Sequence, residues 1–105
     1  MRYRRLGRTG EKVSVVGLGT WQFGGEWGRD FSQAEVDAII GTAREAGINL
    51  IDTAECYGHH LSEELIGRAI EKDRSSWFVA TKFGHIFKGF LDRDRDFSPR
   101  GLLDQ

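Results

Sequence analysis

The chain has 105 residues, enough for one small domain with a modest core, and its 39% hydrophobic and 30% charged residues are those of an ordinary globular chain. A formal net charge of −1 offers no basic footprint for nucleic acid, and no apolar run approaches a membrane span. The single cysteine, Cys56, excludes an internal disulfide framework, no signal-peptide pattern opens the chain, and we expect a cytoplasmic protein.

Arg2 to Leu6 and Lys12 to Val16 are short strand-like runs on either side of Gly7-Arg8-Thr9-Gly10-Glu11, which predicts a hairpin. Val15 to Thr20 then reads as a buried strand whose glycines allow close approach of a backbone or a ligand. Residues 21–31 are an aromatic, glycine-rich loop. The clearest helix signal follows. Ser32 and Glu35 form an S-x-x-E capping box, Phe31 and Val36 take the hydrophobic-staple positions, and Val36, Ile39, Ile40, Ala43 and Ala46 share a face. Gly47 is the expected stop, and the apolar run from Ile48 ends at Asp52.

The unit then repeats. Ser62 is the predicted cap of a helix with Leu65, Ile66, Ala69 and Ile70 on one side, Glu63 and Glu64 near its start and Lys72 at its end. A strand from Trp77 to Thr81 leads to Lys82, so that two successive strand ends should be lateral neighbours. Residues 83–97 read as a long structureless loop carrying Phe83, Phe87, Phe90 and a solvated charge run from Asp92 to Asp96. Ser98 as N-cap and Pro99 at the first helical position open a third helix less than two turns before Gln105. We therefore expect a chain that is part of a longer one.

Asp52, Tyr57 and Lys82 carry the chemistry. An acid, a phenol and an ammonium at the ends of neighbouring strands would converge on one mouth of an alternating strand–helix barrel. Taken singly, a strand-end aspartate or lysine is more often solvated surface, and a loop tyrosine more often packing. Their combination suggests proton transfer: a free phenol ionises near pH 10 and is a reluctant acid, and an adjacent ammonium favours the phenolate. Trp21, Phe23 and Trp27 either pack a rim or wall a ligand.

The segments Gly17-Leu18-Gly19-Thr20-Trp21, Asp52-Thr53-Ala54-x-x-Tyr57-Gly58, Ser62-Glu63-Glu64-Leu65-Ile66-Gly67 and Ala80-Thr81-Lys82 together resemble the aldo-keto reductases. The likeness extends to Phe97-Ser98-Pro99. It implies an α/β fold, a (β/α)8 barrel of the TIM type closed below by an N-terminal hairpin. Residues 1–105 would then be the N-terminal part of that one domain: the hairpin and about three βα units. It also implies an oxidoreductase that interconverts aldehydes or ketones and alcohols with a nicotinamide dinucleotide, NADP(H) before NAD(H). Three of the family's four catalytic groups map onto Asp52, Tyr57 and Lys82. The fourth, a histidine, matches none of His59, His60 and His85. Tyr57 would be the general acid, Lys82 its tuner and Asp52 the residue that orients Lys82. The resemblance brings Gly19, Thr20, Trp21 and Asp52 to the cofactor, and Trp21, Trp27 and His85 to a small-molecule substrate.

Two other motifs fail. Gln22 holds the position where a dinucleotide fingerprint G-x-G-x-x-G needs its last glycine. Cys56, His59 and His60 fit no standard zinc framework, and we expect no metal. Without the rest of a barrel, the 105 residues are expected to be inactive and to expose an apolar sheet edge that invites self-association. A non-catalytic cofactor-binding auxiliary subunit and a self-assembling half-barrel are the rival readings.

Overall fold

The computed structural model describes residues 1–87 and 93–105. The hairpin forms as expected: β1 (Tyr3–Arg5) pairs antiparallel with β2 (Lys12–Ser14). It is latched by Asn49, just ahead of the next central strand. The Asn49 side chain accepts from the Ser14 amide (2.8 Å) and donates to the Lys12 carbonyl (3.0 Å), while its own amide donates to Ser14 Oγ (3.1 Å). The Tyr3 hydroxyl adds a bond to the Gly47 carbonyl at 2.7 Å.

Three parallel strands follow in the order β3 (Leu18–Gly19), β4 (Leu50–Asp52), β5 (Phe78–Ala80). Their register sets Gly19 beside Asp52 and Asp52 beside Ala80. The neighbouring strand ends read from the sequence are therefore present, although β5 stops at Ala80, two residues short of Lys82. The strand expected over Val15 to Thr20 is only two residues long, and Val15 and Val16 are half exposed rather than buried. Their backbone leaves the hairpin and has no parallel partner among the described residues. The parallel sheet is open among the described residues.

α1 (Gln33–Glu45) begins as predicted. Glu35 N–H donates to Ser32 Oγ (3.2 Å) and Ser32 N–H donates to Glu35 Oε2 (2.9 Å). At its end Gly47 and Ile48 donate to Arg44 and Ala43, a Schellman arrangement that requires the positive φ of Gly47. Ala46 is the C-cap and is exposed, because the helical face ends one turn earlier.

α2 (Leu61–Ala69) differs from expectation at both ends. His60 in a left-handed conformation is its N-cap, and Ser62 lies inside the first turn, fully buried. A tight turn from Glu55 to His60 consumes the residues that would have led up to a serine cap, with His60 N–H bonded to the Glu55 carbonyl at 2.7 Å. The helix stops at Ala69, and Lys72 belongs to a run of tighter 3₁₀ turns, Glu71–Ser76. Arg44 grips this run through a forked pair with Asp73 (2.6 and 3.1 Å).

The core lies between the sheet and the two helices: Phe23, Val36, Ile40, Ala43, Ile51, Leu65, Ile66, Ile70 and Trp77, with Ile39 and Ala69 packed at its margin. Each fully buried large side chain contributes roughly 1.5–3 kcal/mol.

The segment 83–97 is not wholly irregular. β6 (His85–Phe87) and β7 (Arg93–Arg95) form an antiparallel ladder, and Asp94 and Arg95 are exposed as expected of a solvated charge run. Phe90 and Asp92 lie outside the described residues. The alternation was hidden by the charges of β7, which read as loop. Ser98 caps α3 (Pro99–Leu103) by accepting from Gly101 N–H at 3.0 Å, with Pro99 at its start. No helix among the described residues is long and apolar enough to cross a membrane.

Asn49→Leu removes the two side-chain hydrogen bonds, to the Ser14 amide and the Lys12 carbonyl, and leaves the amide of the buried Ser14 without that acceptor, so we expect a loss of about 1–3 kcal/mol. Urea unfolding checks this; an unchanged midpoint would show that the hairpin is not latched through Asn49.

Candidate active site

The in-register ends of β3, β4 and β5 bring three connecting segments to one mouth: Thr20–Gly24, Thr53–His60 and Thr81–Lys82. Asp52 ends β4 with its side chain half exposed, whereas its neighbour Ile51 is fully buried. That alternation follows from the period of two along a strand.

Lys82 gathers the site. Its Nζ donates to Asp52 Oδ1 at 2.8 Å, to the Thr53 carbonyl at 2.8 Å and to the Tyr57 hydroxyl oxygen at 3.4 Å. The ammonium also lies 5.2 Å from the centre of the Tyr57 ring. Three donors thus meet three oxygens, the full capacity of an ammonium. Partial burial acts to lower the pKa of Lys82, but the hydrogen bonds to Asp52 and Tyr57, and their charges, outweigh it and raise it above the ordinary 10.5.

Two features hold Tyr57 in place. Gly24 and Gly58 pack backbone to backbone: a Cβ on Gly24 would stand 2.5 Å from the Gly58 amide nitrogen, and one on Gly58 would strike the Gly24 backbone. Gly58 also has a positive φ of 66°. Overpacking here would cost about 1–3 kcal/mol. The second feature is a buried group of hydroxyls. Thr20 Oγ1 donates to the Asp52 carbonyl (2.9 Å). Ser62 Oγ lies 3.0 Å from the Thr20 carbonyl and 3.1 Å from Thr20 Oγ1, and Thr53 Oγ1 lies 3.0 Å from Ser62 Oγ. One serine on α2 thereby ties together the segments after β3 and β4.

Of the residues read from the sequence, Asp52, Tyr57 and Lys82 converge. Gly19 is exposed at the mouth, with nothing within 4 Å of an added Cβ. Thr20 is buried, its hydroxyl and carbonyl spent on the network above. Trp21 is half exposed, 6.4 Å from the Tyr57 ring and edge-on to Trp27 at 5.2 Å. Trp27 is the more exposed of the two, whereas Phe23 belongs to the core, which divides the aromatic loop between rim and interior. His85 turns to Glu55: its amide donates to Glu55 Oε1 at 2.9 Å and its Nδ1 is 3.5 Å from the same oxygen. Ser62, Thr53 and the pair of glycines were not assigned these roles from the sequence. Small polar residues beside a helix start look like caps, and nothing local shows that they face a neighbouring strand.

Residues 15–103 match the model of the Aldo/keto reductase family. The chain belongs to the aldo-keto reductases. It is 45% identical over 93 residues to L-galactose dehydrogenase of Arabidopsis thaliana, a match covering 83% of this chain and 28% of that protein. Among solved structures it resembles the glycerol dehydrogenase of Gluconobacter oxydans, with a TM-score of 0.79 at 36% identity over 97% of this chain and 32% of the other. An aldo-keto reductase of Klebsiella pneumoniae in complex with NADPH matches with a TM-score of 0.57 at 28% identity, over 69% of this chain and 24% of its own. The chain thus spans between about a quarter and a third of the length of these relatives.

The raised pKa of Lys82 sets a pH dependence. Since the folded value is the higher, the contribution of the ion pair is complete below the unfolded value, about 10.4, and is lost as pH rises through the folded one. Both side chains are half exposed, so the effect should stay within about 1 kcal/mol. Thermal unfolding followed from about pH 9 to about pH 12 should show an alkaline loss that is smaller in Lys82→Met. Superimposable profiles would remove the pair from the stability of the fold.

Proposed function

We propose that these residues supply the proton-transfer part of an NAD(P)(H)-dependent oxidoreductase that interconverts carbonyls and alcohols. The observation that carries the reading is Lys82 Nζ within hydrogen-bonding reach of both Asp52 and Tyr57. Tyr57 is the general acid, donating its hydroxyl proton to the carbonyl oxygen. Lys82 stabilises the negative charge that this leaves on the phenol, and Asp52 holds Lys82 in place and keeps it charged.

A bound nicotinamide dinucleotide would supply the hydride. The residues fit such a ring: the open space beside the Gly19 backbone admits a flat group, and the half-exposed Trp21 stands next to it on the Tyr57 side. Asp52 lies at the same level as Gly19, which supports a contact of its carboxylate with a ribose hydroxyl. The NADPH complex of the Klebsiella relative favours NADP(H). Trp21 and Trp27 would wall the substrate side, where their exposed indoles suit an apolar or sugar-like carbonyl compound.

A barrel completed by exchanging these 105 residues for the matching segment of the Gluconobacter enzyme provides the test. There, Tyr57→Phe should lower kcat for carbonyl reduction by about 10²–10⁴-fold while leaving the Kd for NADPH within about twofold. Near-normal turnover would remove Tyr57 from the role of acid.

For the 105 residues alone we expect no turnover and a mass that rises with concentration. Val15, Val16, Phe97 and Leu103 are exposed apolar side chains, and β3 and β5 are unpaired on their outer edges among the described residues. Light scattering and an NADPH oxidation assay check this; a concentration-independent monomer or measurable reduction would overturn it.

A further inference from the structure

Among the described residues, Glu55 is the only carboxylic side chain in the buried set, at 3% exposure. It follows β4 by three residues and is not part of the Asp52–Tyr57–Lys82 group. Its Oε1 accepts from the His85 amide, but its Oε2 is buried and has no hydrogen-bond partner among the described residues. The same holds for Nδ1 of His85. A buried polar atom left without a partner costs about 1–3 kcal/mol, so two in one place ask for an occupant. Cys56 completes the cluster. A carboxyl oxygen of Glu55, Sγ of Cys56 and a ring nitrogen of His85 all lie within 4.8 Å of one another.

We propose that Glu55, Cys56 and His85 form a binding site for a divalent metal ion of borderline softness, Zn²⁺ by its donor set. Hard cations such as Mg²⁺ and Ca²⁺ take oxygen ligands, whereas one thiolate, one imidazole and one carboxylate is a mixture that Zn²⁺ accepts, with a fourth position left for water. Metal–ligand bonds of roughly 2.0–2.3 Å set tetrahedral donors roughly 3.3–3.8 Å apart. The cluster is looser than this by about one ångström and closes by rotation of the His85 ring, whose side chain is 34% exposed against 4% for Glu55. An ion held by Oε2 of Glu55 and Nδ1 of His85 would satisfy both orphaned atoms. It also clamps the segment after β4 to the segment after β5, which are already joined by the Glu55 amide and the Lys82 carbonyl at 3.3 Å. Cys56 with His59 and His60 fits no zinc framework in the sequence, and in the structure those two rings lie tilted against each other at 5.1 Å while His60 pairs with Glu63 at 3.0 Å. The partner that completes the cluster comes instead from β6, 29 positions after Cys56. The site stands on its own residues and does not depend on the redox reading.

The test uses the purified 105-residue chain, stripped with chelator and titrated with Zn²⁺ against a chromophoric competitor, then with Co²⁺. We expect one ion per chain, a higher Tm with the ion bound, and a thiolate-to-Co²⁺ charge-transfer absorption. Residues that merely orient a ligand are worth roughly 10–100-fold in metal affinity, so Cys56→Ala and His85→Ala should each weaken binding by more than about 10-fold. Cys56→Ala should also abolish the charge-transfer band. His59→Gln with His60→Gln should leave both readouts within about twofold, and serves as the control for surface histidines. Neither Cys56→Ala nor His85→Ala removes the buried carboxyl, so circular dichroism can confirm that the variants are folded. A folded wild-type chain that takes up no ion at micromolar Zn²⁺ would overturn the proposal. So would binding that survives in Cys56→Ala and His85→Ala, or a Co²⁺ complex without the thiolate band.

Discussion

The register of three parallel strands is the constraint on which the rest of this structure depends. Ile51 sits between Leu18 and Val79 and is fully buried against the helices, and its successor Asp52 therefore points the other way. A slip of one residue would expose Ile51 and bury Asp52, because side chains alternate along a strand. The burial of Ile51, worth roughly 1.5–3 kcal/mol, thus also aims the aspartate at the mouth. The same register levels Gly19, Asp52 and Ala80, so the segments that follow them emerge together. Chemistry at one end of the sheet is a consequence of packing on its flank.

Leveling the strand ends does not by itself fix the side chains beyond them. Tyr57 lies five residues past Asp52, in a turn that includes the left-handed His59 and His60. Non-glycine residues in that conformation cost about 1–2 kcal/mol each, and the turn persists because it is held from two sides. The Gly24–Gly58 approach presses it against the segment after β3, and the Ser62 hydroxyl draws the first turn of α2 onto Thr20 and Thr53. Buried hydroxyls carry a desolvation cost unless paired, and here all three have partners, so the network specifies one arrangement instead of weakening the core.

Much of this was legible because it is local. The capping box at Ser32 and Glu35, the stop at Gly47, the cap at Ser98 and the hairpin all depend on residues within a few positions of one another, and all are present. The approach of Asp52, Tyr57 and Lys82 was legible through one additional step, the thirty-residue strand–helix repeat that makes successive strands neighbours. What failed depended on distant partners. Ser62 has the composition of a cap, but its neighbours are Thr20 and Thr53, 42 and 9 residues away. Val15 and Val16 have the composition of a buried strand, yet no described strand covers them. The pairing of β6 with β7 was masked by arginine and aspartate in β7, which an exposed two-stranded ladder accepts on both faces. The assembly of Glu55 with His85 crosses from one strand–helix unit to the next and leaves no mark in either local sequence.

Lysine at position 82 also decides what the phenol can do. An ammonium only donates, so in its contact with Lys82 the Tyr57 oxygen must accept. The phenolic hydrogen is then left for an acceptor on the open side, where Trp21 and the exposed backbone of Gly19 border the mouth. Asp52 and the Thr53 carbonyl occupy the other two donors at 2.8 Å, which leaves the ammonium no alternative set of partners to swing towards. An arginine would spread its charge over a rigid fork and could not meet three oxygens so disposed with a single nitrogen. The half-exposed ion pair itself contributes little to folding. Stability therefore resides in the core beneath the sheet, and the arrangement of Lys82, Asp52 and Tyr57 is free to serve the proposed proton transfer.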